Sequence, residues 1–334
     1  IGCSTLNVVR RHRDRFAVSI LAAGRNLQRL IEQIREFNPR HVYIIGEKDA
    51  AVLKALFPGL DIYRGEDGMD KVSRLTDFDI GVSALVGVAG LRPTWNMINN
   101  GKTVALANKE VLVAGGRLVM EAARKQGAAL LTVDSEHSAI MQCLRGENHG
   151  EIERILLTAS GGPFFDREIT DGITPEEALR HPTWKMGPKI TIDSATMMNK
   201  GFEIIEARWL FDVPVERVQV VIHRQSIVHS MVEFKDGSIM ANIAPPDMEL
   251  PIAYALSYPE RMEMPQRLDI FAMKALEFKA PDEEKFPCLR LAKEAARAGH
   301  GAQVVLNAAN EALVARFLAG GLRFTDIPRG VEEM

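Results

Sequence analysis

The sequence has few cysteines and no long apolar run. Its 334 residues include three cysteines, Cys3, Cys143 and Cys288, and none of them belongs to a Cys-x-x-Cys pair. An odd number of widely spaced cysteines argues against a disulfide framework or a structural zinc site and fits a reducing cytosol. No segment approaches the roughly 18 apolar residues of a membrane span, and no signal-peptide pattern is present. We therefore expect no membrane partner.

The chain also lacks a surplus of positive charge. Its formal net charge is −3, and its isoelectric point is near 6.3. Proteins that bind nucleic acid or an anionic membrane usually carry a basic patch, so neither partner is expected. Hydrophobic residues make up 46% and charged residues 25% of the sequence, which is ordinary for a globular protein of two or three domains. These numbers still allow a small basic site for a phosphorylated metabolite.

Three carboxylates occur in settings that suit a hard metal ion. Asp134 and Glu136 lie two residues apart and follow the apolar run 129–133, which is typical of a buried parallel strand. Residues i and i+2 at the carboxyl end of such a strand point the same way and can share one ligand. Taken alone, an Asp-x-Glu pair is more often part of a solvated face, because carboxylates are mostly exposed.

The third carboxylate, Glu203, belongs to a predicted amphipathic helix. Its apolar face consists of Met198, Phe202, Ile205 and Trp209, and its polar stripe, at i, i+3, i+4 and i+7, of Thr196, Asn199, Lys200 and Glu203. Such a helix directs an amide, an ammonium group and a carboxylate to one side. The combination with Asp134 and Glu136 therefore predicts a divalent cation beside an anionic substrate.

The first 134 residues alternate short β-branched runs with helical stretches. This alternation predicts a doubly wound, Rossmann-like parallel sheet, whose ligand crevice lies at the carboxyl ends of the strands. The predicted strands are residues 16–23, 41–45, 61–63, 80–86, 103–107 and 129–133.

A different pattern begins near residue 150. The runs 155–158, 218–222, 227–234 and 238–243 predict strands, and Asp236-Gly237 between the last two predicts an antiparallel hairpin. Helices are predicted at 288–298 and 304–318. We predict an α/β protein with four parts: a nucleotide-binding domain (1–134), an α+β catalytic and metal-binding domain (135–257), a connector (258–283) and a C-terminal helical segment (284–334).

Gly24-Arg25-Asn26 follows the first strand of the printed sequence. In a dinucleotide-binding fold, the strand end in this position meets the adenosine ribose, where an acidic residue selects NAD and an arginine accommodates the 2′-phosphate of NADP. Arg25 therefore favours NADP. The alternative is that Arg25 is an ordinary surface charge.

Six motifs together closely resemble the 1-deoxy-D-xylulose 5-phosphate reductoisomerase family, in order along essentially the whole chain. They are Ala-Asn-Lys-Glu (107–110), Val-Asp-Ser-Glu-His (133–137), Thr-Ala-Ser-Gly-Gly-Pro-Phe (158–164), His-Pro-Thr-Trp-Lys-Met-Gly (181–187), Ile-Asp-Ser-Ala-Thr-Met-Met-Asn-Lys-Gly (192–201) and Leu-Asn-Ala-Ala-Asn-Glu (306–311).

The resemblance implies an enzyme of the non-mevalonate isoprenoid pathway. It would convert 1-deoxy-D-xylulose 5-phosphate to 2-C-methyl-D-erythritol 4-phosphate with NADPH and Mg2+, Mn2+ or Co2+, through a retro-aldol and aldol rearrangement followed by reduction. It further implies a homodimer formed by the 135–257 domain. A bacterial cytoplasm is the expected location, with the plastid stroma as the less expected alternative.

The same resemblance assigns roles to individual residues. The metal ligands would be Asp134, Glu136 and Glu203, and the catalytic residues Lys109, Glu136 and His181. A mobile flap at 181–189 would cover the substrate, with His229 at the edge of the site. The substrate contacts would be Ser135, Ser160, His181, Trp184, Ser194, Asn199, Lys200 and Glu203. The cofactor contacts would be Ile1, Gly24, Arg25, Asn26, Gly87, Ala107, Asn108, Lys109, Glu110, Met186 and Gly187.

The chain departs from the family pattern in three places. The family's first strand and phosphate-cradling glycine loop would precede Ile1, so we expect weak NADPH binding. The family's C-terminal bundle would continue beyond Arg329, so its helices are expected to be cut short. Arg224 stands where the family has proline, and the lost restraint on φ is expected to loosen a turn beside the site.

Two alternative functions remain open from the sequence. One is a different NADP-linked dehydrogenase, such as one acting on an amino-acid semialdehyde, which would need an activated cysteine such as Cys143. The other is a catalytically impaired fragment that binds a sugar phosphate without reducing it.

Overall fold

The computed structural model describes residues 1–334, and its first part is a parallel α/β region. Six short strands form two separate three-stranded parallel sheets, ordered β1-β2-β3 and β4-β5-β6. The strands are β1 (Ile20–Ala23), β2 (His41–Ile44), β3 (Asp61–Arg64), β4 (Ile80–Ser83), β5 (Thr103–Leu106) and β6 (Leu130–Thr132). The predicted Rossmann-like parallel α/β class is confirmed, although the strands pair as two sheets instead of one.

Helices cover both sheets. They are α1 (Gly2–Arg11), α2 (Leu27–Phe37), α3 (Glu47–Leu56), α4 (Gly65–Ser73), α5 (Leu91–Asn99) and α6 (Glu110–Gln126). Local sequence explains several of their ends. The Asn26 side chain caps α2 by accepting the Arg29 N–H, and Gly127 ends α6 with a left-handed φ of 63°.

The next part of the chain is a mixed four-stranded sheet packed by helices. Its strands are β7 (Ile152–Ala159), β8 (Val218–Ile222), β9 (Val228–Phe234) and β10 (Ile239–Ile243), in the order β10-β9-β7-β8. The pair β9–β10 is antiparallel, as the Asp-Gly turn predicts. The pair β7–β9 is also antiparallel, whereas β7–β8 is parallel. The helices are α7 (Ser135–Cys143), α8 (Pro175–Ala178), α9 (Pro188–Ala195), α10 (Met198–Phe211) and α11 (Glu249–Ser257).

Two local predictions in this part were wrong. Strand β6 ends at Thr132, so Asp134 and Glu136 do not alternate on a strand: Asp134 caps α7 by accepting the N–H groups of Glu136 and His137. The helix that carries Glu203 begins at Met198, after Met197 at a φ of 62°. Thr196 is therefore the C-cap of α9 and not a member of the polar stripe.

The last part is helical and shares a core with the mixed sheet. Helices α12 (Pro287–Ala298) and α13 (His300–Leu318) agree with the two helices predicted there, and α14 (Asp326–Glu332) was not predicted. One cluster of 41 buried residues joins these helices to β7, β8, β9, α9 and α10, and it includes Phe164, Phe202, Phe286 and Phe317. Burial of this apolar area is the main term that holds α10 in place. The domain boundaries at 134, 257 and 283 remain predictions. None of the helices has the length and apolar character needed to cross a membrane.

Candidate active site

A cavity of about 320 Å³ lies where the carboxyl ends of β5 and β6 meet β7 and α10. The segment 181–187 lies against it. Sixteen residues that the sequence singled out line this cavity: Ile1, Ala107, Lys109, Asp134, Ser135, Glu136, Ser160, His181, Trp184, Met186, Gly187, Ser194, Asn199, Lys200, Glu203 and His229. Six predicted cofactor residues do not line it: Gly24, Arg25, Asn26, Gly87, Asn108 and Glu110.

Three carboxylates come together at the floor of the cavity. One oxygen each from Asp134, Glu136 and Glu203 lies within 4.8 Å of the others. Oxygen ligands at this spacing suit a hard divalent cation such as Mg2+ or Mn2+. The three residues therefore fit the metal site that the sequence predicts.

Two lysines supply positive charge among these carboxylates. The Lys109 Nζ atom contacts Asp134 and lies 3.0 Å from Glu203 Oε1. The Lys200 Nζ atom contacts Glu203 and lies 3.3 Å from Glu136 Oε1. Buried carboxylates without a positive partner are costly, so these ammonium groups mark the place where the site requires cationic charge.

Secondary structure determines where these side chains lie. Lys109 is the N-cap residue of α6, and Glu203 lies in the second turn of α10. Asn199, one turn earlier, donates its Nδ2–H to Glu203 Oε1 at 2.6 Å. The i, i+4 spacing that the sequence predicts for this pair is therefore present.

Burial and charge shift the pKa values of this cluster in different directions. Burial is the largest single effect on the pKa of Lys109 and of Asp134, and it disfavours their charged forms. The attraction between them, added to that of the other charged neighbours, outweighs burial, so the Lys109 pKa lies well above and the Asp134 pKa well below its usual value. Burial raises the pKa of Glu136 to about 7, although Lys200 opposes the shift. A divalent cation held by these carboxylates would favour the ionised form of Glu136 and lower this pKa.

A second buried pair, which was not predicted from the sequence, lies beside the candidate metal site. His137 Nε2 contacts the backbone oxygen of Glu203 at 3.0 Å, and its Nδ1 lies 3.3 Å from Asp134 Oδ1 and 3.8 Å from Glu206 Oε2. Burial opposes protonation of His137, but Glu206 and Asp134 raise its pKa to about 9. His137 thus links a metal-side carboxylate to Glu206. The i, i+3 spacing of Asp134 and His137 was the available signal.

On the opposite side of the cavity, Ser160, His181 and two glycines form a candidate anion site. His181 Nδ1 accepts the backbone N–H groups of Thr183 and Trp184 at 3.1 and 2.9 Å. Burial, and then the charge of Arg224, lowers the pKa of His181 to about 4, so the ring is neutral at neutral pH. Since Nδ1 accepts, the ring proton is on Nε2, which donates to Ser160 Oγ at 3.0 Å. The Ser160 hydroxyl proton therefore stays available to a ligand.

The 160–162 turn requires its glycines. Gly161 and Gly162 have φ values of 78° and 67°. A Cβ atom on Gly162 would lie 2.6 Å from the backbone oxygen of Ser194. The Arg224 side chain donates to the backbone oxygens of Ser160 and Gly162. The predicted loosening of the turn that contains Arg224 itself remains a prediction.

The predicted flap segment is anchored at its C-terminal end by Lys189, for which the sequence predicted no individual role. The Lys189 Nζ atom lies 2.7 Å from both Glu110 Oε1 and Asp193 Oδ2. Asn310 of α13 donates to Asp193 Oδ1 at 2.8 Å. Three distant segments of the chain therefore meet at the base of the flap. Above it, the Trp184 ring lies 6.5 Å from the His229 ring.

Several predicted cofactor residues also have structural contacts. Asn108 donates its Nδ2–H to the backbone oxygen of Gly87 at 2.9 Å and accepts the Val111 N–H. Glu311 of α13 accepts the Val88 N–H at 3.0 Å. These contacts shape the turn after β4, where a nucleotide would approach. The cofactor contacts themselves remain predictions.

The structure contradicts the cysteine-dependent alternative. Cys143 is buried, and burial raises its pKa to about 11. A nucleophilic cysteine needs a lowered pKa and access to substrate. Cys143 therefore has a packing role.

The fold and the cavity define an α/β enzyme with a parallel-sheet nucleotide-binding region and a carboxylate metal site. Three family models match the chain. The model of 1-deoxy-D-xylulose 5-phosphate reductoisomerase matches residues 1–116, and that of the 1-deoxy-D-xylulose 5-phosphate reductoisomerase C-terminal domain matches residues 130–211. A further model, of the DXP reductoisomerase C-terminal domain, matches residues 243–334. The chain belongs to the 1-deoxy-D-xylulose 5-phosphate reductoisomerase family. The predicted class, an NADP-dependent oxidoreductase, is confirmed.

Individual relatives agree with this assignment over the whole chain. The reductoisomerase of Prosthecochloris aestuarii is 52% identical, with 100% of this chain and 88% of the relative covered. That of Bacillus cereus is 48% identical, with 100% and 89% covered.

Solved structures agree as well. A DOX-P reductoisomerase in complex with NADPH, fosmidomycin and magnesium superposes with a TM-score of 0.95 at 42% identity, covering 99% of this chain and 85% of that one. The Zymomonas mobilis enzyme in complex with NADPH gives a TM-score of 0.92 at 44% identity, covering 99% and 87%.

Proposed function

We propose that the protein converts 1-deoxy-D-xylulose 5-phosphate to 2-C-methyl-D-erythritol 4-phosphate with NADPH and a divalent metal ion. The observation that carries this proposal is the grouping of Asp134, Glu136 and Glu203 within 4.8 Å, in the same cavity as the 160–162 turn. One side of the cavity suits a ketone with an adjacent hydroxyl, and the other suits a phosphate. The NADPH, fosmidomycin and magnesium in a structure of the same fold support this assignment.

The carboxylates and lysines act on the reacting carbons. A divalent ion held by the three carboxylates would act as a Lewis acid on the substrate's ketone and hydroxyl oxygens. Lys109 and Lys200, both buried, place ammonium groups beside the position where negative charge develops as the carbon–carbon bond breaks. Glu136, as a ligand of that ion, would help to hold the substrate's hydroxyl group beside the reacting carbons.

The opposite side holds the phosphate. Ser160 can donate its hydroxyl proton to a phosphate oxygen because His181 already donates to its Oγ atom. Backbone N–H groups in a left-handed Gly-Gly turn add donors for an anion. Ser135, Ser194 and Asn199 also line the cavity and complete the proposed substrate contacts.

NADPH would approach along the carboxyl ends of β1, β4 and β5. Arg25 at the end of β1 would meet the 2′-phosphate, and Met186 and Gly187 of the flap would approach the nicotinamide. Closure of Trp184 over the substrate would exclude water during hydride transfer.

An assay of NADPH oxidation with 1-deoxy-D-xylulose 5-phosphate tests this function. We expect turnover with Mg2+ or Mn2+, none after chelation with EDTA, and recovery when the metal is added back. Identification of the branched carbon skeleton of the product by NMR excludes simple reduction of the ketone, whose unbranched product has the same mass. Binding of the sugar phosphate without any NADPH oxidation would contradict the proposal and favour the sugar-phosphate binder.

We also propose a homodimer that forms through the mixed sheet. Strand β10 is an edge strand, and Ile239, Met240 and Ile243 on it are 52%, 41% and 43% exposed. An exposed apolar edge strand favours pairing with another chain. Sedimentation of the protein should give a dimer, and Met240→Lys should shift it toward the monomer; a wild-type monomer at micromolar concentration would contradict this.

Two observations support a cytoplasmic location: the relatives are bacterial, and the three cysteines form no disulfide. Fractionation of cells that express the protein from its own gene would test this.

A further inference from the structure

Arg224 spans both ends of the 160–162 turn. It lies two residues after the end of β8, and its Nη1 atom donates to the backbone oxygens of Ser160 and Gly162, each at 2.7 Å. Its Nε atom lies 3.4 Å from Asp166 Oδ2. The guanidinium therefore holds together two carbonyl groups that belong to neither a helix nor a strand.

The turn has few other restraints. Gly161 and Gly162 are both left-handed, and glycine has the largest backbone freedom to lose when it is ordered. Within the turn, the Gly162 N–H reaches Ser160 Oγ only at 3.3 Å. Hydrogen bonds from a charged donor are stronger than those between neutral groups. The contacts of Arg224 are thus the strongest polar restraint on this segment.

The same contacts change the electrostatics of the turn. The Ser160 carbonyl and the Gly161 N–H belong to one peptide group, and a hydrogen bond at the carbonyl polarises that group and makes its N–H a stronger donor. The positive charge of Arg224 also contributes to the low pKa of His181, after burial, and so keeps the ring in the form that donates to Ser160. Both effects favour an anion above the turn.

We propose that Arg224 is a positioning residue for the substrate phosphate: it holds the 160–162 turn in its receiving conformation and raises the positive potential there. The proposal rests on the proposed function, since it concerns how the same cavity binds the substrate phosphate. According to this proposal, Arg224 contributes to substrate affinity and does not take part in the chemical step.

Arg224→Gln and Arg224→Lys test this proposal, with Arg217→Gln as a matched control. Arg217 also donates to a backbone oxygen, that of Ile152 at 3.2 Å, but Ile152 begins β7 and does not line the cavity, whereas Ser160 and Gly162 do. We expect Arg224→Gln to raise the KM for the sugar phosphate about tenfold, because a charge-assisted hydrogen bond is lost. The kcat and the KM for NADPH should stay within about twofold of wild type, while Arg224→Lys, which keeps a charge and N–H donors, recovers most of the affinity.

Calorimetric titration with inorganic phosphate is the second measurement, and it does not need turnover. The Kd for phosphate should rise in parallel with the KM in Arg224→Gln and stay unchanged in Arg217→Gln. An unchanged KM and Kd in Arg224→Gln would overturn the proposal, as would equal losses in kcat and NADPH affinity. If Arg224→Gln does not fold, Arg224→Lys must still show a small rise in the KM for the sugar phosphate and in the Kd for inorganic phosphate. Absence of turnover in the wild type would contradict the proposed function alone.

Discussion

The two sides of the cavity are built in different ways. On the metal side, Lys109, Lys200 and Glu203 are 6%, 5% and 1% exposed; Lys109 caps α6, and the other two lie in α10. On the phosphate side, the 160–162 turn and the 181–187 segment have no regular structure, and a few side chains hold them: His181, Lys189 and Arg224. The first side is held by packing, and the second depends on a few polar contacts.

This difference corresponds to the function proposed for each side, which is metal binding on one and phosphate binding on the other. A metal site needs ligands that keep their geometry, because catalysis depends on preorganised charge. A flap must open to admit substrate and close to exclude water, so it cannot be buried in a core. We therefore expect substitutions on the metal side to reduce the rate, and substitutions on the phosphate side to reduce affinity and local order.

The largest effect should come from Glu203→Gln. It removes one ligand charge and leaves Lys109 and Lys200 without their shared partner. Because loss of a group that only supports a metal ligand already costs about 10–100-fold, kcat/KM should fall at least about 100-fold. Steady-state kinetics at several Mg2+ concentrations measures this.

Glu206→Gln, one turn further along α10, is the matched comparison. Glu206 contacts His137 and not the proposed metal, so its loss should weaken Mg2+ affinity by about tenfold with a smaller change in kcat. Equal losses of kcat and of Mg2+ affinity in the two variants would contradict the distinction between Glu203 as a ligand and Glu206 as a supporting residue.

Lys189→Met should have an intermediate effect and act mainly on stability. It leaves the carboxylates of Glu110 and Asp193 buried without their cation. Removal of one partner from a buried ion pair costs about 3 kcal/mol, so the free energy of unfolding in urea should fall by that order. The KM for the sugar phosphate should also rise, because the flap loses its anchor.

Lys235→Met is the control for Lys189→Met. Its pair with Glu151, at 3.8 Å, is exposed, and exposed pairs contribute less than about 1 kcal/mol. If Lys189→Met is as mild as this control, the flap does not depend on the bridge, and the contrast between the two sides is weaker than we infer.

The smallest effect concerns pH. His181 has a folded pKa of about 4 and a usual value of 6.5, so the unfolded chain binds its proton more readily between these values. Stability from this group is therefore complete above pH 6.5 and is lost as the pH falls toward 4. After allowance for solvent screening, the loss is no more than about 2 kcal/mol.

His181→Gln should flatten the pH dependence of the unfolding free energy in this range, whereas His149→Gln, at an exposed position, should not. An NMR titration of the His181 ring with a midpoint near 6.5 would contradict the neutral donor that the phosphate side requires.

The sequence predicted the class of the fold and most of the cavity for local reasons. Alternating β-branched runs and helices predict a parallel sheet, and the i, i+4 spacing of Asn199 and Glu203 predicts their contact. The prediction was wrong at Asp134 and Thr196. A capping carboxylate and a left-handed Met197 end one element and begin another, and hydrophobic periodicity does not detect such boundaries.

The amino-acid sequence by itself determined which residue types stand at strand ends and on one face of a helix, because spacing along the chain sets the direction of side chains within an element. Only the tertiary structure decided which distant groups become partners. Lys109 and Glu203 are 94 residues apart, Lys189 and Glu110 are 79 apart, and Arg224 and Ser160 are 64 apart. Such pairs form because burial of a common apolar core brings their elements together, and no local pattern carries that information.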